Sequence, residues 1–376
     1  MARIGRTRHV DLAVRAFLII GAATAIAGGA APLRSGAAAS DAASRDITIP
    51  SPRPFFMQLD GQGPAMSVSR VVWTAINGQG QAGAQADRLY IYDLEHGTYA
   101  APVVSGYGAA GFIGAYTLSG AQLAYVDTGL VDAGTLTWRV LVLDLHTGKS
   151  VTVAEAGPRD GSRVPPQIAF DGQRLLVLST RDAGTNVHQS TATLYTVGTR
   201  AHQVLAQITD RLFGDPVLTA HAAAWTTIEY APHLASQLTI YDLMHHKLTY
   251  GSVGDVSQLA ASGDLVVWKS GMSGVNGHIG LYALSSHRVL SSDLAHSDHA
   301  IFPSTNGHLV AWTFDDGSRV QIYSLGSQRV IYSAPLVHHR YYGLTSISGN
   351  SVSWTYTALG DSKHPTKGYV QIHQVG

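Results

Sequence analysis

Two segments of this chain gather side chains suited to chemistry. His296-Ser297-Asp298-His299 brings two imidazoles and a carboxylate into four residues, donors that suit a divalent metal or an acid–base pair. Adjacent loop residues seldom complete a metal site alone, so His296, Asp298 and His299 are read as binding candidates and no metal is assigned. His338-His339-Arg340-Tyr341-Tyr342 mixes cationic and aromatic groups that fit a carboxylate, a sugar ring or an aromatic ligand. The competing reading of that segment is a solvated loop with its tyrosines packed on the fold. Asp315-Asp316-Gly317 begins like a calcium loop but lacks the Asp/Asn alternation and the distal Glu, and a hairpin turn accounts for it.

Other chemistries are excluded by absence. The sequence holds no Gly-x-Ser-x-Gly elbow, no phosphate loop ending in Lys-Ser/Thr, no His-Glu-x-x-His and no dinucleotide fingerprint. It has no cysteine, which removes disulfides, thiolate nucleophiles and Cys-ligated metals. No catalytic residue and no cofactor is assigned. With 25 Lys+Arg against 25 Asp+Glu, the formal charge is zero when histidine is neutral, too little to gather nucleic acid or an anionic membrane by charge alone.

The elements that must position these loops repeat along the chain. A short apolar strand, often ending in Trp, recurs at Val71-Val72-Trp73, Leu123-Ala124-Tyr125, Leu175-Leu176-Val177, Ala223-Ala224-Trp225, Val266-Val267-Trp268, Val310-Ala311-Trp312 and Val352-Ser353-Trp354. A second column follows each, centred on Tyr92, Leu143, Tyr195, Tyr241, Tyr282, Tyr323 and His373, at intervals of 51, 52, 46, 41, 41 and 50 residues. Runs this short, rich in Val, Ile, Thr, Tyr and Trp and bounded by Gly, Asn and Asp, are strands. Four antiparallel strands per repeat give an all-β, seven-bladed β-propeller, with six blades as the alternative. Trp225, Trp268, Trp312 and Trp354 are expected between adjacent blades as core.

The runs Ser-Gly-x-x-Val-x-Trp, as in Ser262 to Trp268, and Ile-Tyr-Asp-Leu, as in Ile240 to Leu243, resemble the TolB-like and WD40-like propeller repeats of bacterial exported proteins. The resemblance covers the chain from Met66 to Val375. The Ser-Pro-Asp-Gly corner of TolB repeats is reduced here to Asp171-Gly172, and TolB itself has six blades. The resemblance implies a fold used for binding and scaffolding and, less often, for catalysis.

Three domains are expected. Residues 1–39 read as a signal peptide or N-terminal membrane anchor: Arg3, Arg6, Arg8 and Arg15 precede the apolar run Ala16 to Leu33, and small residues follow at Ala37 to Ala39. Residues 40–64 form a linker and closing strand, and 65–376 the propeller. The last repeat stops at Gly376 without an outer strand, so Asp46-Ile47-Thr48-Ile49 is assigned to that place. Pro50, Pro52 and Pro54 then lead the chain inward to Ala65-Met66-Ser67-Val68.

Strand-order parity assigns the interblade and second-to-third-strand loops to one face, here the loop face, and the short Gly corners to the other, the turn face. The loop face carries 77–87, 127–137, 181–190 and 229–236 with both chemical segments, and is the candidate surface. Polar inner-strand residues Gln167, Thr219, Gln258, Ser304 and Thr345 are expected to line an axial funnel. His96, His146, His245, His246 and His287 fall on the turn face. The leading expectation is an exported, periplasmic or cell-surface, monomeric module without catalysis. It would bind a protein or a carbohydrate polymer of the envelope, no nucleic acid, and a membrane only through an uncleaved N-terminus. The alternatives are a lyase or hydrolase with a site at the channel mouth, and a propeller like those that gate peptidases.

Overall fold

The computed structural model describes residues 44–53, 63–74, 87–132, 135–184, 187–199, 201–229, 235–271, 277–334, 337, 340–360 and 366–376, and structural statements concern these residues. The segment expected as a signal or anchor lies outside them, as do most of 77–87 and both His338 and His339.

Seven antiparallel sheets follow one another around the ring. Blade 1 comprises Ala65–Met66, Arg70–Thr74, Arg88–Asp93 and Thr98–Tyr99, with Val103–Val104 also on the third strand. Blades 2 to 6 each run inner to outer in chain order. Blade 4, for example, is Leu212–Leu218, Ala222–Glu229, Ala235–Asp242 and Lys247–Gly254. Blade 7 takes Arg340–Ser348, Ser351–Ala358 and Lys367–Gln374 from the C-terminus and Arg45–Pro50 as its outer strand. Burial follows position in the blade. The second strand Ala222–Glu229 is sandwiched between neighbouring sheets and buried along nearly its whole length, whereas the outer strand His202–Thr209 is largely exposed.

Tryptophan fills the wedge between blades. Trp225 and Trp312 are fully buried, Trp354 and Trp268 almost so, as the sequence column predicts. Gly280 lies opposite Trp268 in the ladder, and a Cβ there would collide with the indole ring, so the ring's seat depends on that glycine.

The closing strand pairs antiparallel with Lys367–Gln374 in the register Asp46↔His373, Thr48↔Gln371 and Ile49↔Val370. Ile49 is 1% exposed and joins Val370 and Ile372 of blade 7 to Met66, Val71 and Trp73 of blade 1. His373 Nδ1 lies 2.8 Å from Asp46 Oδ1, and its ring stacks on Tyr332 of blade 6 with centroids 3.8 Å apart. The Trp73 indole donates to Ser51 Oγ at 3.1 Å, and the Tyr99 hydroxyl donates to the Pro50 carbonyl. The closing segment therefore binds blades 7 and 1 directly and reaches blade 6 through His373.

Two expectations need correction. The inner strand of blade 1 ends at Met66, and Val68 stands 87% exposed at the corner, because Ser67 N bonds back to Arg70 O at 2.8 Å and closes a tight turn. The segments 127–137 and 181–190 are mostly strand, not loop. Gln122–Asp132 pairs with Thr135–Asp144, and Arg174–Gly184 with Val187–Thr196, because alternating β-prone residues continue through both.

Ile49→Ala is expected to cost about 2–5 kcal/mol in denaturant unfolding, as for a buried aliphatic truncation. Thr48→Ala on the exposed side of the same strand should stay within ~0.5 kcal/mol of the parent. Trp268→Ala should cost about 3–5 kcal/mol by the same measurement, the cost of emptying an aromatic seat.

Candidate functional site on the loop face

The histidines of the first segment sort into two separate groups. Asp293 Oδ1 accepts from Ser297 N at 3.0 Å, and Ser297 Oγ accepts from Ile279 N at 2.7 Å, while Leu294 is buried beneath them. These contacts fold the interblade segment so tightly that Ala295, His296 and His299 all take positive φ. His278 Nδ1 then lies 3.1 Å from Asp298 Oδ1 and 3.4 Å from Asp293 Oδ1, with His296 Nδ1 3.3 Å from Asp293 Oδ2. His299 turns to blade 6, where its Nδ1 lies 3.1 Å from Asp315 Oδ2. Asp315 thus has an imidazole partner across the turn. A third pair sits on the long hairpin of blade 3, where His188 Nδ1 lies 3.1 Å from Asp182 and Arg163 bonds the same carboxylate. Among the described residues no three His, Asp or Glu side chains are arranged to hold a metal ion.

The second segment divides between surface and core. Arg340 stacks its guanidinium over the Tyr356 ring at 5.0 Å, and Tyr341 is half-buried. Tyr342 is only 4% exposed, set edge-on to Tyr356 at 6.1 Å, where burial raises its hydroxyl pKa. Its phenol is part of the wedge between blades 6 and 7.

Around the axis the inner strands carry a device that the residue columns do not reveal. Each of blades 4, 5 and 6 has a bulge in its inner strand, and Asp215, Gln258 and Phe302 sit there at φ of 49°, 53° and 53°. Gln167 Oε1 accepts from Asp215 N at 2.6 Å, and Gln258 Oε1 accepts from Phe302 N at 2.7 Å. Between them, the Gln258 N–H donates to the Asp215 carboxylate. Ser304 and Thr345 share a 2.8 Å hydroxyl bond, and Thr345 also donates to the Phe302 carbonyl at 3.0 Å. Consecutive blades are thereby stitched side chain to backbone. Thr219, Ser304 and Thr345, expected in the funnel lining, are instead buried.

Two buried charges belong to this region. Asp215 is wholly buried, and desolvation raises its pKa to about 6 despite the Gln258 N–H and the Thr226 hydroxyl at 3.2 Å. Its Oδ1 has no hydrogen-bond partner. Lys269, 1% exposed, donates to the Gly271 carbonyl at 2.9 Å; burial lowers its pKa, while Asp255, Asp315 and Asp215 oppose the shift. A sequence signal for Lys269 exists: it follows the Trp of its column where blades 1, 4, 6 and 7 have Thr74, Thr226, Thr313 and Thr355.

The fold is a seven-bladed β-propeller. No family model matches the chain, and no curated protein sequence does. Solved structures match at the level of fold. The β-propeller domain of the trilobed protease from Pyrococcus furiosus, described as having an open velcro topology, aligns with TM-score 0.58 and 13% identity over 82% of this chain and 94% of that one. A prolyl endopeptidase structure aligns with TM-score 0.60 and 14% identity over 96% of this chain but 49% of the peptidase. The propeller domain of Cps50 (Swd1) from Myceliophteria thermophila aligns with TM-score 0.53 and 13% identity over 88% of this chain and the whole of that domain.

Burial of Asp215 gives a signed pH dependence. Its folded-state pKa near 6 lies above the ordinary 3.8, so the folded chain holds this proton more tightly than the unfolded chain. The contribution is full below about pH 4 and fades as pH rises through 6. Urea titrations at pH 4.5 and 7.5 on the parent and Asp215→Asn should differ by up to ~2 kcal/mol in their pH response, the parent losing more on going to pH 7.5.

Proposed function

We propose that this chain is an exported, TolB-like propeller without catalysis, whose loop face docks a protein or an envelope polymer outside the cytoplasm. The observation that carries the reading is the height of two adjacent hairpins. The second strands of blades 2 and 3 have eleven residues each, against six in blades 5 and 6. At ~3.3 Å per residue the extra length raises both hairpins well above their neighbours on the loop face. Near the tip of the first, Leu130 and Val131 stand 45% and 48% exposed, an apolar crest of the kind that seats in a partner pocket. Below it Asp127 is clamped by Arg139 and by Ser105 Oγ, both at 2.6 Å, which stiffens the base. The structural neighbours include a chain of the mitotic checkpoint complex, a protein assembly, which supports a protein partner.

The second reading is an enzyme or a peptidase gate. Its support is the set of peptidases among the neighbours, acylaminoacyl peptidase included, of which this chain spans about half the length. Under that reading the ionisable pairs His299–Asp315 and His278–Asp298 on the loop face would supply acid–base groups.

Affinity capture from an envelope fraction separates the two. Leu130→Asp with Val131→Asp should reduce partner recovery at least tenfold, with His299→Gln and Arg340→Ala as further loop-face variants. Substituting Lys247 on the turn face should leave recovery unchanged. Turnover of peptide or glycan substrates that is abolished by His299→Gln, with capture unaffected by the crest variant, would establish the enzymatic reading instead.

A further inference from the structure

The zero net charge of this chain holds only while histidine is neutral, and its histidines are unevenly placed. Of the thirteen in described positions, eight are exposed on the turn face. His96, His146 and His202 stand at the third-to-fourth-strand turns of blades 1, 2 and 3, and His245, His246 and His287 at those of blades 4 and 5. His221 and His308 occupy first-to-second-strand corners on the same side.

Backbone geometry marks two of these positions. The third-to-fourth-strand turn needs a left-handed residue, supplied in blades 1 and 2 by Gly97 at φ 66° and Gly148 at φ 69°. In blades 4 and 5 the same place is held by His246 at φ 53° and His287 at φ 50°. Glycine fits that conformation without steric cost and an L side chain does not, yet blades 4 and 5 place imidazole there, and blade 6 places Gln328 there at φ 52°.

The fixed charges of the face cancel among the described residues. Asp93 is paired with Arg70 and Asp171 with Arg174. Glu95, Asp144, Asp242 and Asp264 are matched in number by Lys149, Lys247, Arg288 and Arg329, and Arg45 and Asp46 accompany them on the closing strand. His96 faces Asp93 and His245 faces Asp242, at 3.1 and 2.8 Å, while His202 and His246 lie against the rings of Tyr195 and Tyr241 and His287 against the Tyr282 hydroxyl. Imidazole is the ordinary side chain that gains charge between pH 8 and 5, so a face crowded with it gains positive charge on acidification. Apolar side chains stand among them: Val68 is 87% exposed at its corner, Met244 69% beside His245, and Leu290 59% just beyond His287.

We propose that the turn face is an acid-dependent docking surface for an anionic lipid bilayer. Titratable cations supply attraction to the headgroups, and aliphatic hairpin tips enter the boundary between headgroup and acyl chain. A soluble polyanion would use the first feature and leave the second idle. This surface is separate from the loop-face crest, so one molecule can hold a partner on one side and a membrane on the other.

The test is sedimentation of the full chain with vesicles of phosphatidylcholine and phosphatidylglycerol, and of phosphatidylcholine alone, at pH 5.0 and 7.4. Binding to the anionic vesicles should be at least tenfold tighter at pH 5.0, be weakened by added salt, and be absent from the neutral ones. His246→Gly with His287→Gly gives the turns their preferred residue, so the variant should melt no lower than the parent yet bind on the order of twentyfold more weakly, about fivefold per lost charge. Met244→Ser should weaken binding without changing its salt dependence. Affinity that is independent of pH, or unchanged in the double glycine variant, would overturn the proposal. Acid-dependent binding to soluble polyphosphate with none to vesicles would overturn the lipid assignment.

Discussion

Every blade of this ring is buried on both faces only because the first and last blades meet, and they meet through six residues. Arg45–Pro50 covers the edge of Lys367–Gln374 and drives Ile49 into the cluster that contains Trp73 and Met66 of blade 1. Without that strand the Val370 and Ile372 side chains and a full ladder of backbone donors and acceptors would face water, an edge prone to pairing with other chains. Closure is also electrostatic. Asp46 holds His373, which stacks on Tyr332, so the strand extends its grip one blade further back.

The periodic part of the structure was legible because its physics is periodic. Seven tryptophan or equivalent positions and seven tyrosine or equivalent positions recur since each blade must fill the same wedge, and the count alone exposed a missing outer strand in blade 7. Parity of strand order was enough to put His245 and His246 on one face and His296 and His299 on the other. What the columns concealed is local. Bulges at Asp215, Gln258 and Phe302 depend on backbone conformations that leave little trace in residue type, since only Gly would announce them. The long hairpins of blades 2 and 3 looked like loops because Gly, Asp and Asn punctuate them, yet they continue the ladder. Tyr342 belonged by composition to a binding segment and by register to the core.

The two faces differ in physical character. On the loop face imidazoles are matched with carboxylates, as in His299–Asp315 and His188–Asp182, and relief comes from raised hairpins. On the turn face the relief is low, the fixed charges of the described residues cancel, and exposed histidines and aliphatic side chains dominate. Between them the axis is knitted by Gln167, Asp215 and Gln258, with buried charge at Asp215 and Lys269. Buried ionisable groups of this kind weigh against stability at neutral pH and are tolerated where the surrounding hydrogen bonds fix one geometry.

The ring-closure register can be measured directly because the chain has no native cysteine. Thr48 and Gln371 stand opposite each other, their side chains joined at 2.8 Å, so Thr48→Cys with Gln371→Cys places two thiols within reach of one disulfide. Oxidation of the purified double variant should produce a quantitative intramolecular crosslink that runs as a monomer on a non-reducing gel and raises the melting temperature. Two free thiols after oxidation, or crosslinking only between molecules, would contradict closure of the propeller by its N-terminal strand.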